Sequence, residues 1–346
     1  MSIIRNENAK IAIKSLISFS LIFLLIFLVL EPLLFTSLLH GAKDPDSAGF
    51  NEYSKFYNTY SSLSEVSGEK VIFIGSSQTA GGIDCDYIVS NTDKPNLICS
   101  NLGVGGDVPY YRISELPFII EAKPSKVLIE INPRSVTELS NLHNFTQNIY
   151  ARYGVAGLYQ DTDQISSWSE IIRPEDREYI PTGFIELYEF RSDYRQSVID
   201  SSAELFFENL AMDLVNFNKE ERKWTDEEIR IKKSRLDHFL NEPSWMPSSQ
   251  SHNVECLYYI INELRANDIE VVLYSLPLDP SVTQNLEPGQ WDEFNSSVEY
   301  LVNNTDITYL GLLFEIWESS DFRDLTHLHK EGIPKLNQRL VEEIVF

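Results

Sequence analysis

The stretch Val71-Ile72-Phe73-Ile74-Gly75-Ser76-Ser77 constrains the fold more than any other part of the chain. Four apolar residues run without alternation into a glycine and two serines. An unbroken apolar run of this length reads as a strand covered on both faces, the kind found in parallel sheets flanked by helices. The Gly-Ser-Ser after it reads as the turn at the strand's carboxyl end, where ligands and chemistry gather in open α/β sheets. A serine at such a turn either offers its hydroxyl to a cleft or caps the helix that follows. The segment alone leaves both roles open.

The rhythm set by this strand recurs. Apolar runs at 96–99, 127–131, 269–274 and 307–310 predict further strands, and helical periodicity marks 84–90, 109–122, 252–266, 287–302 and 334–345. Strands alternating with helices predict βαβ units and a parallel sheet. Residues 135–251 interrupt the pattern with charge clusters such as Lys219-Glu220-Glu221-Arg222-Lys223 and with Tyr150, Tyr153, Trp168, Trp224 and Trp245. Helices are expected there at 198–216 and 225–240, the second opening on a cap-like Thr225-Asp226-Glu227-Glu228. The domain therefore spans 71–346, with 135–251 as a helical insertion.

From Ser15 to Leu39 only Glu31 is charged. About 20 apolar residues suffice to span a bilayer, so 11–39 is expected to be a transmembrane anchor. Arg5, Lys10 and Lys14 precede it and place residues 1–10 in the cytoplasm by the positive-inside rule. The alternative is a cleaved signal peptide, for which the run is long and the following small-residue site poor. Residues 40–70 read as a linker with a short helix near 51–63. Everything after the anchor is then extracytoplasmic. The net charge of −24 argues against nucleic-acid binding, because such a surface repels phosphate.

Cys85, Cys99 and Cys256 form no Cys-x-x-Cys pair, so a zinc site is not expected. Cys85 and Cys99 flank the first βα unit and are able to pair in an oxidising compartment; free buried thiols are the expected state. Neither a metal-ligand cluster nor a complete dinucleotide fingerprint is present, and no cofactor or metal is expected.

Four separated pieces fall at the carboxyl ends of the predicted strands or near the C-terminus. They are Gly75-Ser76-Ser77, Asn101-x-Gly103-x-x-Gly106, Glu130-Ile131-Asn132-Pro133 and Asp324-Leu325-Thr326-His327. A serine hydroxyl needs a base to take its proton, and the base needs a third group to orient it. Glycine N–H groups and asparagine amides suit a developing oxyanion. The order and spacing of these pieces resemble the SGNH (GDSL-like) hydrolase family, over roughly 71–132 and 254–345. The resemblance implies a flavodoxin-like, three-layer α/β fold. It implies Ser77 as nucleophile, His327 as base, Asp324 as its orienting acid, and the Gly103 N–H and Asn132 amide as oxyanion donors. Ser76 stands where the family has aspartate, Glu130 where it has glycine, and Pro133 where it has aspartate. His329 competes with His327, and Arg134 either binds an anionic group or pairs with an acid. With the anchor, these departures look like the extracytoplasmic SGNH-like proteins of bacterial envelope acylation, such as alginate O-acetylation proteins and DltD. That implies an acyl donor, a glycan acceptor and a membrane-bound O-acyltransferase as partners. The activity implied is a serine-dependent O-acyltransferase or esterase; the alternative is a catalytically degenerate scaffold.

Overall fold

The computed structural model describes Ser18 and residues 50–94, 96–142, 171–174, 176, 230 and 234–344. The chain divides into two compact units, one of Met1–Lys55 with Pro181–Ala211 and one of Phe56–Ile180 with Met212–Phe346. The described residues lie almost wholly in the second. The expected tail and anchor fall outside the described residues except for Ser18, as does the predicted helix at 198–216. Among the described residues no helix is long and apolar enough to cross a membrane.

Five strands form one sheet: β1 (Glu69–Gly75), β2 (Leu97–Gly103), β3 (Lys126–Glu130), β4 (Glu270–Ser275) and β5 (Thr308–Gly311). All neighbours are parallel, in the order β2-β1-β3-β4-β5. This is the flavodoxin-like order, whose switch point lies at the carboxyl ends of β1 and β3. Alternation along β1 sends its side chains to two covered faces. Val71 and Phe73 share a core with Ile88 of α3 (Cys85–Ser90) and with Leu336 and Leu340 of α10 (Gly332–Ile344). Ile72 and Ile74 are buried on the other face. There α7 (His252–Ala266) packs against α4 (Pro109–Arg112), α5 (Leu116–Ala122) and α9 (Pro288–Thr305). Three layers result because the central strands β1, β3 and β4 are apolar enough to be buried on both faces.

Several elements differ from the sequence expectation. A helix α2 (Ser77–Gly82) starts directly on the Gly-Ser-Ser turn. The predicted helix at 109–122 is divided into α4 and α5 by the 3₁₀ turn Ile113–Glu115. Strand β2 continues through Asn101 to Gly103 and does not end at Cys99. The helix α1 (Phe50–Glu65) is longer than expected and docked on the domain, with Tyr57 edge-on to Phe118 and the Tyr60 hydroxyl on Glu115 at 2.9 Å. A further short helix, α8 (Pro280–Asn285), follows β4. In the expected insertion, the described pieces include α6 (Leu236–Leu240) and the turn Pro243–Trp245, where Trp245 packs on Phe239. Cys85 and Cys99 are joined as a disulfide, which corrects the expectation of free thiols. The reason is that α3 lies directly on β2, bringing the two Cα atoms to 5.3 Å, within bridging range. Cys256 is free and buried.

Candidate active site

Ser77 is the first residue of α2, at the end of the central strand β1. Its neighbour Ser76 is the N-cap, accepting a hydrogen bond from the Gln78 N–H at 3.2 Å. The two serines therefore take both roles that the sequence left open: Ser76 caps, and Ser77 is freed to point outward. The Ser77 Oγ lies 2.8 Å from His327 Nε2. On the far side of the imidazole, Nδ1 lies 3.0 Å from each oxygen of Asp324. A carboxylate only accepts, so Nδ1 carries the proton and Nε2 is left to receive one from Ser77. The three side chains thus form a connected serine–histidine–aspartate relay, half-open to solvent.

The loop carrying the acid and base is a closed turn. Asp324 Oδ1 accepts the N–H groups of Thr326 at 2.9 Å and His327 at 2.8 Å, and Arg323 N–H donates to the His327 carbonyl at 3.0 Å. Burial alone would raise the Asp324 carboxyl, but the hydrogen bond and charge of His327, with the Thr326 and His327 N–H groups, hold it well below the usual carboxylate range. The acid is therefore ionised whenever the imidazole needs it. His329 is turned away, with Nδ1 on the exposed Glu331, so the structure brings His327 and not His329 to Ser77.

Gln78 joins this loop to the nucleophile turn, its Nε2 donating to the Thr326 carbonyl at 2.8 Å and to the Pro277 carbonyl at 3.3 Å. Sequence reasoning missed this residue, because a glutamine in a polar turn carries no signal.

The centre of the site from below is Glu130. It ends β3, is buried, and accepts from the Ser76 N–H at 2.7 Å, the Ser76 hydroxyl at 2.8 Å, the Thr79 hydroxyl and the Asn132 amide. Four donors converge on its two oxygens. The Thr79 hydroxyl, spent on Glu130, accepts in turn from Tyr274, whose phenol burial keeps firmly protonated. The carbonyl of Gly75, one atom group before Ser76, accepts from Arg112 Nη2 at 3.1 Å and Val104 N–H at 2.9 Å. Arg112 is itself buried, paired with Asp107 at 2.6 Å and Glu115 at 2.7 Å. The peptide entering the nucleophile turn is thus gripped on its oxygen by a cation and on its nitrogen by an anion. The signal in the sequence was a charge at the end of an otherwise apolar strand.

Asn132 is oriented from both ends. Its Oδ1 accepts the Ser135 N–H at 2.9 Å, and its Nδ2 donates to Glu130. The second N–H of that amide points past Gln78, whose Oε1 is 3.5 Å away, a weak contact that a stronger acceptor displaces. The expected role of Gly103 is not what the structure shows. Its N–H donates to Asn101 Oδ1 at 3.0 Å, and a Cβ there would lie 2.8 Å from the Ala80 Cα. Gly103 is glycine so that α2 can lie against β2. Asn101 is structural as well, its amide capping the carbonyls of Thr79 and Ile83 at 3.0 and 2.9 Å. The glycines that remain in that block, Gly105 and Gly106, lie in the loop beyond β2; Gly106 has φ +71, and a Cβ at Gly105 would meet nothing within 4 Å. Among the described residues neither of their N–H groups donates a hydrogen bond.

No protein-family model matches the chain, and no curated protein matches it in sequence. Solved structures with some likeness include a GDSL-like lipase from Bacteroides thetaiotaomicron, 13% identical with a TM-score of 0.39, covering 85% of this chain and 99% of that one. Another is a catalytic mutant of an acetylxylan esterase from Geobacillus stearothermophilus, 12% identical with a TM-score of 0.40, covering 81% of this chain and 95% of that one.

Proposed function

We propose that this chain is a serine-dependent acyl hydrolase or acyltransferase of the SGNH kind, and that Ser77, His327 and Asp324 are its catalytic triad. The observation that carries the reading is the 2.8 Å contact between Ser77 Oγ and an imidazole whose other nitrogen faces an ionised carboxylate. In the reaction, Ser77 Oγ attacks the carbonyl carbon of an ester and gives its proton to His327 Nε2. The negative charge that develops on the carbonyl oxygen is met by the Ser77 N–H, the second Asn132 N–H and an N–H of the Gly105–Gly106 loop. Collapse breaks the ester C–O bond, and the leaving alkoxide takes the proton back from His327. The acyl-serine is then attacked by water, giving an esterase, or by an acceptor hydroxyl, giving an O-acyltransferase; His327 takes the proton of the attacking oxygen and returns it to Ser77 Oγ as the acyl–Oγ bond breaks.

The finer reading is an extracytoplasmic enzyme that acylates or deacylates an envelope glycan, held at the membrane by residues 11–39 beside a membrane-bound O-acyltransferase. The apolar run before residue 40 and the Cys85–Cys99 disulfide support it, since disulfides belong mainly to oxidising compartments. The test is hydrolysis of p-nitrophenyl acetate by the wild type, Ser77→Ala and His327→Ala, with fluorophosphonate labelling in parallel. Turnover and labelling at Ser77, lost in Ser77→Ala, are expected. Equal background rates in all three and no labelled serine would reject catalysis and leave the scaffold reading. Adding a glycan oligomer and weighing it after reaction separates transfer from hydrolysis.

A further inference from the structure

Among the described residues, Arg134 is an arginine with a buried side-chain nitrogen left unmatched. Acidic residues outnumber basic ones 52 to 28, and other arginines with buried or half-buried side chains are taken: Arg112 by Asp107 and Glu115, and Arg173 by Asp176. The Arg134 side chain makes neither an ion pair nor a hydrogen bond among the described residues, and its Nε is buried with no acceptor. A guanidinium keeps its charge at any working pH and presents a planar fork of donors. With so many carboxylates in the chain, a guanidinium whose buried Nε–H meets none of them marks a place where the acceptor comes from outside.

Its position says which acceptor. Arg134 lies in the 3₁₀ turn Pro133–Val136 that follows β3, two residues after Asn132. Its Nη2 comes within 3.9 Å of where a Cβ would stand on Gly106, in the loop that follows β2. In the sheet β1 lies between β2 and β3, so an arginine rooted just after β3 and reaching the loop after β2 lies at the same carboxyl end of the sheet at which Ser77 begins α2. A ligand carbonyl held at Ser77 and Asn132 therefore has a cation within a few bonds' reach.

We propose that Arg134 is an anion subsite of the reaction centre, selecting esters that carry a carboxylate close to the scissile bond. The proposal rests on the acyl-transfer reading and adds the substrate class. A carboxylate on the acyl side and one on the alcohol side share the same chemistry, and two ester pairs distinguish them. Mono-4-nitrophenyl succinate against 4-nitrophenyl butyrate places the charge on the acyl group. 4-Acetoxybenzoate against phenyl acetate places it on the leaving group. In Arg134→Gln, kcat/KM for the favoured anionic ester should fall about ten- to a hundredfold, the range for losing a charge-assisted hydrogen bond, while its neutral partner changes less than about threefold. Arg134→Lys should recover part of the loss through charge without the fork. Equal losses on charged and neutral esters would overturn the proposal and make Arg134 a packing residue.

A second measurement needs no turnover. In the full-length Ser77→Ala protein, the Arg134 Nε–H resonance, assigned by its absence from the Ser77→Ala, Arg134→Gln spectrum, should shift on titration with succinate or benzoate. An unmoved resonance overturns the subsite. If the wild type cleaves none of the four esters, the acyl-transfer reading fails while this titration still decides whether the anion site exists.

Discussion

Replacing Glu130 by glutamine tests whether the buried carboxylate sets the geometry of the site. The substitution keeps volume and shape but turns one acceptor oxygen into a donor NH₂. Of the four groups on Glu130, two are hydroxyls, Ser76 and Thr79, which rotate and can accept instead. The other two cannot. The Ser76 N–H is fixed by the backbone at 2.7 Å, and the Asn132 amide is fixed because flipping it would break the 2.9 Å bond from Ser135 N–H to its oxygen. These two donors sit on opposite oxygens of the carboxylate. Whichever way the new side-chain amide turns, its NH₂ therefore faces one fixed donor. An unsatisfied buried donor costs about 1–3 kcal/mol. A domain of this size loses roughly 2–4 °C in Tm per kcal/mol, so a fall of about 2–12 °C is expected. Either orientation also loosens a catalytic group: the nucleophile turn in one, the oxyanion amide in the other. Turnover of p-nitrophenyl acetate should then fall about tenfold to a hundredfold in kcat, with KM nearly unchanged, because the loss appears only when the oxyanion forms. Asn132→Ala should cost much less on top of Glu130→Gln than it does alone, since both act on one donor. Wild-type Tm and kcat in Glu130→Gln, or fully additive losses in the double variant, would refute the argument.

Three further outcomes follow from the geometry. Gly103→Ala should destabilise the domain by more than about 2 kcal/mol because its Cβ would meet the Ala80 Cα at 2.8 Å, whereas Gly105→Ala, with open space around it, should stay within about 0.5 kcal/mol; equal denaturant midpoints would contradict the packing. Reducing the Cys85–Cys99 bridge, which closes a loop of 14-residue separation, should cost about 3 kcal/mol in denaturant unfolding, and only Cys256 should alkylate in the unreduced, unfolded chain. The folded carboxyl of Asp324 lies below its unfolded value, so its contribution to stability is complete above about pH 5 and is lost as pH falls through the unfolded pKa of about 3.9 toward the folded one. Asp324→Asn should therefore show a shallower fall of Tm with acid below about pH 5 than the wild type, together with a loss of kcat of about 10²–10⁴ from a misoriented imidazole; parallel acid limbs would show that the carboxylate is not engaged in the fold.

What the sequence disclosed and what it hid divide along a physical line. The central strands were legible because each is an apolar run fit for a doubly covered sheet, and α7 was legible because its long stretch is periodic. Helix α2 was not, since six residues ending in Gly81-Gly82 have no periodicity to read; its helicity comes from the Ser76 cap and from packing on β2. Ser77, Asp324 and His327 were singled out because a relay needs those residue types, and local turns position them. Gly103 was misread because a pattern of glycines does not say which one faces the cleft. That depends on how far β2 runs, and pairing carries it to Gly103 opposite Gly75, which leaves the free N–H groups to the next two glycines.

Glu130 and Ser76 are the deeper case. Read singly, each is a departure from the expected blocks and an argument for lost function. In the structure they touch, and the contact explains both. A carboxylate at position 130 binds the Ser76 N–H and hydroxyl together, so a small hydroxyl at 76 is what leaves room for it. A Cβ on Gly75 would lie 2.5 Å from the Glu130 Cβ, which fixes glycine there as well. Three positions on two strands are thus one solution to holding the nucleophile turn. A sequence read position by position shows three unrelated residues, because the information lies in the register between β1 and β3. That register places Ile74 opposite Ile129, so the residues that follow on each strand meet at the carboxyl end of the sheet.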